Sequence, residues 1–212
     1  MMSTSAIQLL QQDRARLERE LVACKAENTA LHGYAKMLAE LYWVNQQIAK
    51  DPAPLETVDK LLGSVIEIIG ASDGSFSYLD PAAGELVFLT VHGALRTQLT
   101  GYRLKSDVGV AGWAVQEGQP VIVNNPRQDW RFSLEIDQQF SFNTRSILCM
   151  PVKHKHRALG AIQILNKRHN NFNQTDTLLA SVLANVAATA LAKMEPAAIA
   201  PLLLSPPQPP LW

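Results

Sequence analysis

The stretch SILCMPVKHKHRALGAIQIL, residues 146–165, decides the fold. Two apolar runs, Ser146–Val152 and Ala158–Leu165, flank the charged segment Lys153-His154-Lys155-His156-Arg157. Each run is too short for a buried helix and rich enough in β-formers for a strand, so the pair reads as a hairpin with a tight turn. Beyond it a long helix is predicted from Asn173 to about Met194, burying Leu178, Leu179, Val182, Leu183, Val186, Ala190 and Leu191. Asn173 followed by Asp176 is a capping-box-like start. Working towards the N-terminus, Asn124–Thr144 is polar and irregular with scattered aromatics, and Val121–Val123 is a short strand. Asp107–Val115 reads as a short helix ending at Gly118, and Tyr102–Lys105 as a further strand. Ser75–Leu79 and Leu86–Val91, joined by Asp80-Pro81-Ala82-Ala83-Gly84, form a second predicted hairpin. Leu55, Val58, Leu61, Leu62, Val65, Ile66 and Ile69 mark an amphipathic helix that ends near Gly70. This order of elements specifies an α+β domain with an antiparallel sheet.

The first fifty residues read as one long helix. Ile7, Leu10, Leu17, Leu21, Cys24, Leu31, Leu38 and Tyr42 recur at alternating spacings, with Arg14, Asn28 and Ala35 at the remaining seam positions. A 3.5-residue period over about five heptads is a coiled-coil pattern. An isolated helix of this kind leaves its leucine stripe in water, so it calls for a partner. Asn28 at an a-type position favours a two-stranded, in-register pairing, and Glu20 with Lys25 adds an attractive pair, while Asp13 and Glu18 repel. A parallel homodimer through this helix is the expectation; a helical hairpin against the C-terminal helix is the alternative. Asp51-Pro52-Ala53-Pro54 breaks the helix. The chain is therefore expected to divide into a coiled-coil helix (1–50), a folded domain (51–194) and a proline-rich disordered tail (195–212), where half of its 12 prolines lie.

Composition excludes several classes. With 47% hydrophobic and 18% charged residues the chain is globular, and 19 basic against 19 acidic side chains give no general attraction to nucleic acid. No apolar run is expected to reach the about 18 residues that a membrane span needs, and the N-terminus does not read as a signal peptide. The two cysteines, Cys24 and Cys149, are far apart, which fits a reducing cytoplasm and neither a disulfide framework nor a CxxC metal site. The histidines are scattered, and His154 and His156 sit among lysines with no third ligand in view, so no metal site is expected. Cys149 lies in an apolar strand without an evident base. No catalytic constellation emerges, and the chain is not expected to be an enzyme.

Four segments, in order, resemble the GAF domain family of small-molecule sensors. Gly109-Val110-Ala111-Gly112-Trp113 followed by Gly118-Gln119-Pro120-Val121 is similar to the family's glycine-containing helix and the strand after it. Asn143–Val152 is similar to its central strand, and Gly160–Lys167 with Phe172 and Asp176 to its Asn-Lys…Phe-x-x-x-Asp signature, whose final acid is Thr177 here. The pattern of elements by itself suits a PAS-like domain as well. The resemblance implies a six-stranded antiparallel sheet flanked by helices, with terminal helices on one face and a ligand cavity under loops on the other. It also implies that Asn166, Lys167, Phe172 and Asp176 are architecture, with a Lys167–Asp176 ion pair clipping helix to sheet.

The same resemblance implies a small ligand, with a cyclic nucleotide as the candidate and no covalent cofactor. Gly109 and Gly112 would let backbone approach an anion at a helix N-terminus, or would only let the helix pack. The helix contacts of nucleotide-binding members fall at Gly109, Val110 and Ala111, and their base-touching serine at Ser75. Asn125, Asp129, Arg131, Phe132, Phe140, Asn143 and Thr144 would frame a lid. Departures from the nucleotide-binding pattern are Val91 in place of the stacking aromatic, His92 in place of an acid, and Gln163 in place of the acidic contact of the later strand. Loss of a stacking ring forfeits about 1–3 kcal/mol. The lid stretch contains no cysteine, unlike family members that reduce methionine sulfoxide or hold a bilin. With no output domain present, a separate signalling protein is the expected partner; a ligand-free assembly module is the rival function.

Overall fold

The computed structural model describes residues 4–194. The chain divides into two compact units between Met37 and Leu38. The first is helical: α1 spans Thr4–Gln47 and continues past the division. On its described surface Leu10, Leu17, Leu21 and Leu31 are 53–57% exposed and Cys24 is also exposed. The predicted helix to residue 50 gives way at its end to a 3₁₀ turn, Ile48–Lys50. Ile48 is buried there against the C-terminal helix, and Asp51 then stops the helix by accepting hydrogen bonds from Ala53 N and Thr57 Oγ1.

The second unit is built on one sheet of β1 (Asp73–Asp80), β2 (Glu85–His92), β3 (Arg103–Lys105), β4 (Val121–Val123), β5 (Ile147–His154) and β6 (Arg157–Leu165). Their spatial order is β3-β2-β1-β6-β5-β4 and every neighbouring pair is antiparallel. The β5–β6 hairpin is tighter than its charge run indicates. Lys153 pairs with Ala158 and His154 with Arg157, leaving a two-residue turn in which Lys155 has φ 56°.

Strand alternation assigns two faces. Leu148, Val152, Ile162 and Ile164 face α2 (Pro54–Ile69) and the last helix, α6 (Gln174–Lys193). Ile147, Cys149 and Ala161 face α4 (Gly109–Glu117). Two further helices, α3 (Arg96–Leu99) and α5 (Glu135–Gln139), were not legible in the sequence because each is a single turn with no periodicity to read. The Asn124–Thr144 stretch is thus part helical, with a 3₁₀ turn at Pro126–Gln128 as well.

α6 starts at the predicted capping box. Asn173 Oδ1 accepts from Thr175 N and Asp176 N, and the Asp176 carboxylate accepts from Asn173 N. One expected core residue is corrected: Leu178 is 52% exposed, since it shares the outer stripe of α6 with Ser181 and Asn185, while Leu179, Leu183, Val186 and Ala190 face the sheet. By length and composition α6 is long and apolar enough to cross a membrane, yet 56% of it is buried inside the domain, as a core helix is. The tail expected over 195–212 lies outside the described residues.

The junction of β6 and α6 is held by charge. Lys167 Nζ donates to Asp176 Oδ2 at 2.6 Å, with the two side chains 10% and 0% exposed. Asn166, at φ 59°, donates through Nδ2 to Asp73 Oδ2 and to Asn143 O and accepts from Arg145 N. Breaking a buried pair by removing one member leaves an uncompensated charge and costs about 3–5 kcal/mol. Lys167→Met is expected to lower the unfolding free energy measured by urea titration by that much, and a value unchanged from wild type would show that the pair does not hold the junction.

Candidate functional site

The face opposite α2 and α6 carries two apolar clusters. One gathers α4, β4, β5 and β6 side chains around Val110, Ala114, Val123, Ile147 and Cys149, with Phe132 and Leu165 at its edge. The other gathers Phe88, Val91, Leu95, Leu99 and Leu104, with Ile136, Phe140 and Phe142 at its edge. A cavity of about 90 Å³ runs along the seam between them and takes wall residues from both. A bulge helps to make it. Phe76 pairs with Thr90 but Ser77 with Phe88, so Leu89 is an extra residue. Without that insertion Phe88 and Val91, three positions apart, would face opposite sides of the sheet.

α4 closes one end. Gly109 enters the helix at φ 74°, a left-handed conformation that glycine adopts freely. A Cβ at Gly112 would sit 2.8 Å from Ser106 O, so this glycine lets the helix pack on the preceding turn. Both glycines therefore have a local structural cause, although Gly109, Val110 and Ala111 also line the cavity.

The 124–144 segment forms the roof and is fastened at several points. Asp137, almost completely buried, accepts from Thr144 N at 3.0 Å, Thr144 Oγ1 at 2.6 Å and Arg127 Nη2 at 2.6 Å. Tyr102 Oη donates to Gln139 Oε1 at 2.8 Å, and its ring packs edge-on against Phe140. Burial, and then the neighbouring Glu135 charge, push the Tyr102 phenol above its ordinary value, so it remains a donor at neutral pH. Asp129 and Arg131 form a two-pronged ion pair, and Arg131 lies 4.5 Å from the centre of the Trp113 ring on α4. The Arg131 hydrogen bonds hold the Asp129 carboxyl below its ordinary value.

Of the residues singled out from sequence, Ser75, Val91, His92, Gly109, Val110, Ala111, Phe132, Thr144 and Gln163 come together in the cavity wall. Asn125, Asp129, Arg131, Phe140 and Asn143 do not line it. Asn125 and Asn143 are exposed, Asp129 and Arg131 satisfy each other on the outer side of the roof, and Phe140 packs on Tyr102. The His92 ring is engaged by α2: its Nε2 lies 2.9 Å from Asp59 Oδ1, and a methyl at Gly63 would touch the imidazole. The wall residues that sequence reasoning missed are mainly Asp73, Phe88, Leu95, Leu99, Ile136, Asp137 and Phe142. Phe88 and Phe142 carry an aromatic signal, but nothing in their spacing distinguishes a cavity wall from core. Among the described residues no group of three or more His, Cys, Asp and Glu is placed to hold a metal ion.

A sequence profile described as the GAF domain matches residues 53–192. The chain belongs to the GAF domain family, whose members are small-molecule-binding sensor modules. It is 30% identical over 74 residues to a probable 3',5'-cyclic phosphodiesterase of Caenorhabditis elegans, covering 35% of this chain and 10% of that one. It is 34% identical over 76 residues to the dual 3',5'-cyclic-AMP and -GMP phosphodiesterase 11 of Drosophila melanogaster, covering 35% and 5%. The matches thus span a tenth or less of these relatives' length. Among solved structures, the GAF domain of a phosphoenolpyruvate-protein phosphotransferase from Coxiella burnetii superposes with a TM-score of 0.65 at 19% identity, over 76% of this chain and 96% of that one. A free methionine-R-sulfoxide reductase from Neisseria meningitidis superposes at 0.62 with 20% identity, over 76% and 89%. At such identities the likeness is one of fold.

Two outcomes follow from the site. Burial alone pushes the Cys149 thiol up to about 12, so iodoacetamide at pH 8 should leave Cys149 unmodified in the native protein and alkylate it after unfolding. Native-state labelling of Cys149 would contradict this. Removing a buried acceptor costs about 1–3 kcal/mol, so Asp137→Ala should accelerate amide exchange across residues 134–144 about ten- to a hundredfold and leave the sheet unchanged. Unaltered exchange there would show that Asp137 is not the fastening.

Proposed function

We propose that the protein is a cytoplasmic sensor, dimerised through α1, that takes up a small molecule in the cavity and passes a conformational change to a separate signalling protein. The observation that carries this reading is the partly open, mostly apolar cavity beneath a roof held by polar contacts. Such a roof can open without unfolding the sheet, because it is fastened by side-chain contacts such as those of Asp137, Thr144, Arg127, Tyr102 and Arg131 rather than by strand pairing. Ligand uptake changes the packing of the floor, whose strand β1 follows α2 and whose strand β6 is tied to α6 through Lys167 and Asp176. A helical stalk offers discrete packings, and a ligand that favours one of them acts by population shift.

The leucine stripe supports self-association. Leu10, Leu17, Leu21 and Leu31 are more than half exposed and follow the heptad seam, which a second copy of α1 would cover. Regulation rather than catalysis is supported by the state of the two side chains most suited to chemistry: Cys149 is buried as a neutral thiol, and the His92 imidazole is held by Asp59. A cyclic nucleotide is the ligand that the matched phosphodiesterases bring forward, and cAMP and cGMP are the first to be tried. A ligand-free assembly module is the second reading. The small cavity, below the about 300 Å³ typical of ligand sites, and Val91 in place of a stacking ring favour it.

Native mass spectrometry of the full chain separates these readings. A dimer that carries added mass, or gains one nucleotide per chain, supports the sensor; a dimer that stays empty with every ligand supports the assembly module. Leu17→Glu combined with Leu31→Glu places two like charges per chain in the seam and is expected to give a monomer with an intact domain. A double variant that stays dimeric would place the dimer contact elsewhere.

A further inference from the structure

We propose that the cavity selects an uncharged, compact, mainly apolar molecule bearing one group that both donates and accepts hydrogen bonds, a carboxamide or lactam, read by Ser75 and Gln163. This rests on the sensor reading and names its ligand class. Ser75 and Gln163 stand directly opposite each other across β1 and β6, and both belong to the cavity wall. Ser75 is 5% exposed, yet neither side chain hydrogen-bonds to another described residue. The Ser75 hydroxyl is not sealed within the core, so it is open to whatever occupies the cavity. Here hydroxyl and carboxamide share one face of the sheet floor, and each can give and receive a hydrogen bond.

The other buried polar groups of the wall are already used. Asp137 and Thr144 bond to each other, and Asp137 is further neutralised by Arg127 from outside the cavity. Asp73 accepts from Ser72 Oγ, Ala94 N and Asn166 Nδ2, all of them neutral donors. These groups leave Ser75 and Gln163 as the open polar pair on the sheet floor, with Ser133 and Glu135 the further polar residues on the roof side.

Charge then narrows the ligand. Among the described residues no lysine or arginine lines the cavity, while Asp73, Glu135 and Asp137 do. His92, the one wall residue able to become cationic, has its ring on the Asp59 carboxylate. An anion entering this low-dielectric space would meet carboxylates and no counter-charge. The N-terminus of α4 contributes about half a positive charge, which serves a carbonyl oxygen without requiring a full anion. These carboxylates favour a cation over an anion, but the oxygens of Asp73 and Asp137 are already engaged by other donors and Glu135 is exposed, so a cation finds no buried carboxylate to itself. A volume of about 90 Å³ limits the body of the ligand to roughly one ring unless the roof lifts.

The test titrates the full-length protein with four probes of one shape: benzamide (neutral, polar), benzoate (anion), benzamidinium (cation) and toluene (apolar). Binding is read by saturation-transfer NMR and calorimetry, with cAMP and cGMP as further arms. Benzamide is expected to bind at least tenfold tighter than benzoate and benzamidinium. Ser75→Ala with Gln163→Leu should weaken benzamide at least tenfold and leave toluene within twofold. Benzoate, benzamidinium or either nucleotide binding as tightly as benzamide to the wild type overturns the proposal while leaving the cavity as a ligand site. So does a double variant that keeps full benzamide affinity. No binding in any arm removes the cavity as a ligand site, and the sensor reading with it.

Discussion

The buried Lys167–Asp176 pair is the contact on which the domain's geometry rests. Asp176 has no exposed surface, and a carboxylate in that position is tolerable only with a cation and donors in contact. Lys167 supplies the cation and Asn173 N a further donor, so the end of β6 and the first turn of α6 have one relative placement. Asn166, one residue earlier, extends the constraint to β1 through Asp73 and to the start of β5 through Asn143 and Arg145. Ser75, Thr144, Ile147 and Gln163, all wall residues, lie on the segments so tied. The cavity is therefore set by a junction whose residues, other than Asp73, do not line it.

Most of the architecture was legible because its signals are local. Apolar runs bounded by turn residues marked β1, β2, β4, β5 and β6, periodicity marked α2 and α6, and Asn173 with Asp176 marked a cap. The ion pair was legible too, since a lysine ending a strand and an acid opening a helix have complementary reasons to meet. What stayed hidden was non-local or too short for a period. α3 and α5 are single turns, and Leu178 lies beside Leu179 on the same helix, so composition could not say which of the two faces inward. The Leu89 bulge changes which residues of β2 share a face, and no residue type announces it.

The candidate site divides along the same line. The residues singled out on strands and on α4 lie together in the cavity wall, where strand and helix geometry fixes which way they point. Of the 124–144 segment, Phe132 and Thr144 line the wall but Asn125, Asp129, Arg131, Phe140 and Asn143 do not, because orientation there depends on partners from elsewhere. Arg131 turns outward to Trp113 and Asp129, and Asp137, unremarkable in sequence, turns inward to Thr144. Polar character alone gave no way to tell a residue that fastens the roof from one that faces the cavity.

The adjacency of β1 and β6 at the centre of the sheet has a consequence for how such a domain is used in evolution. The helix leading into β1 and the helix leading out of β6 leave from neighbouring strands and pack on one face, so entry and exit are close together. A unit with that property can be spliced into a helical rod as a cassette without redirecting it. The two strands that join the rod are also those that carry Ser75 and Gln163, which makes the splice point and the floor of the cavity one mechanical element.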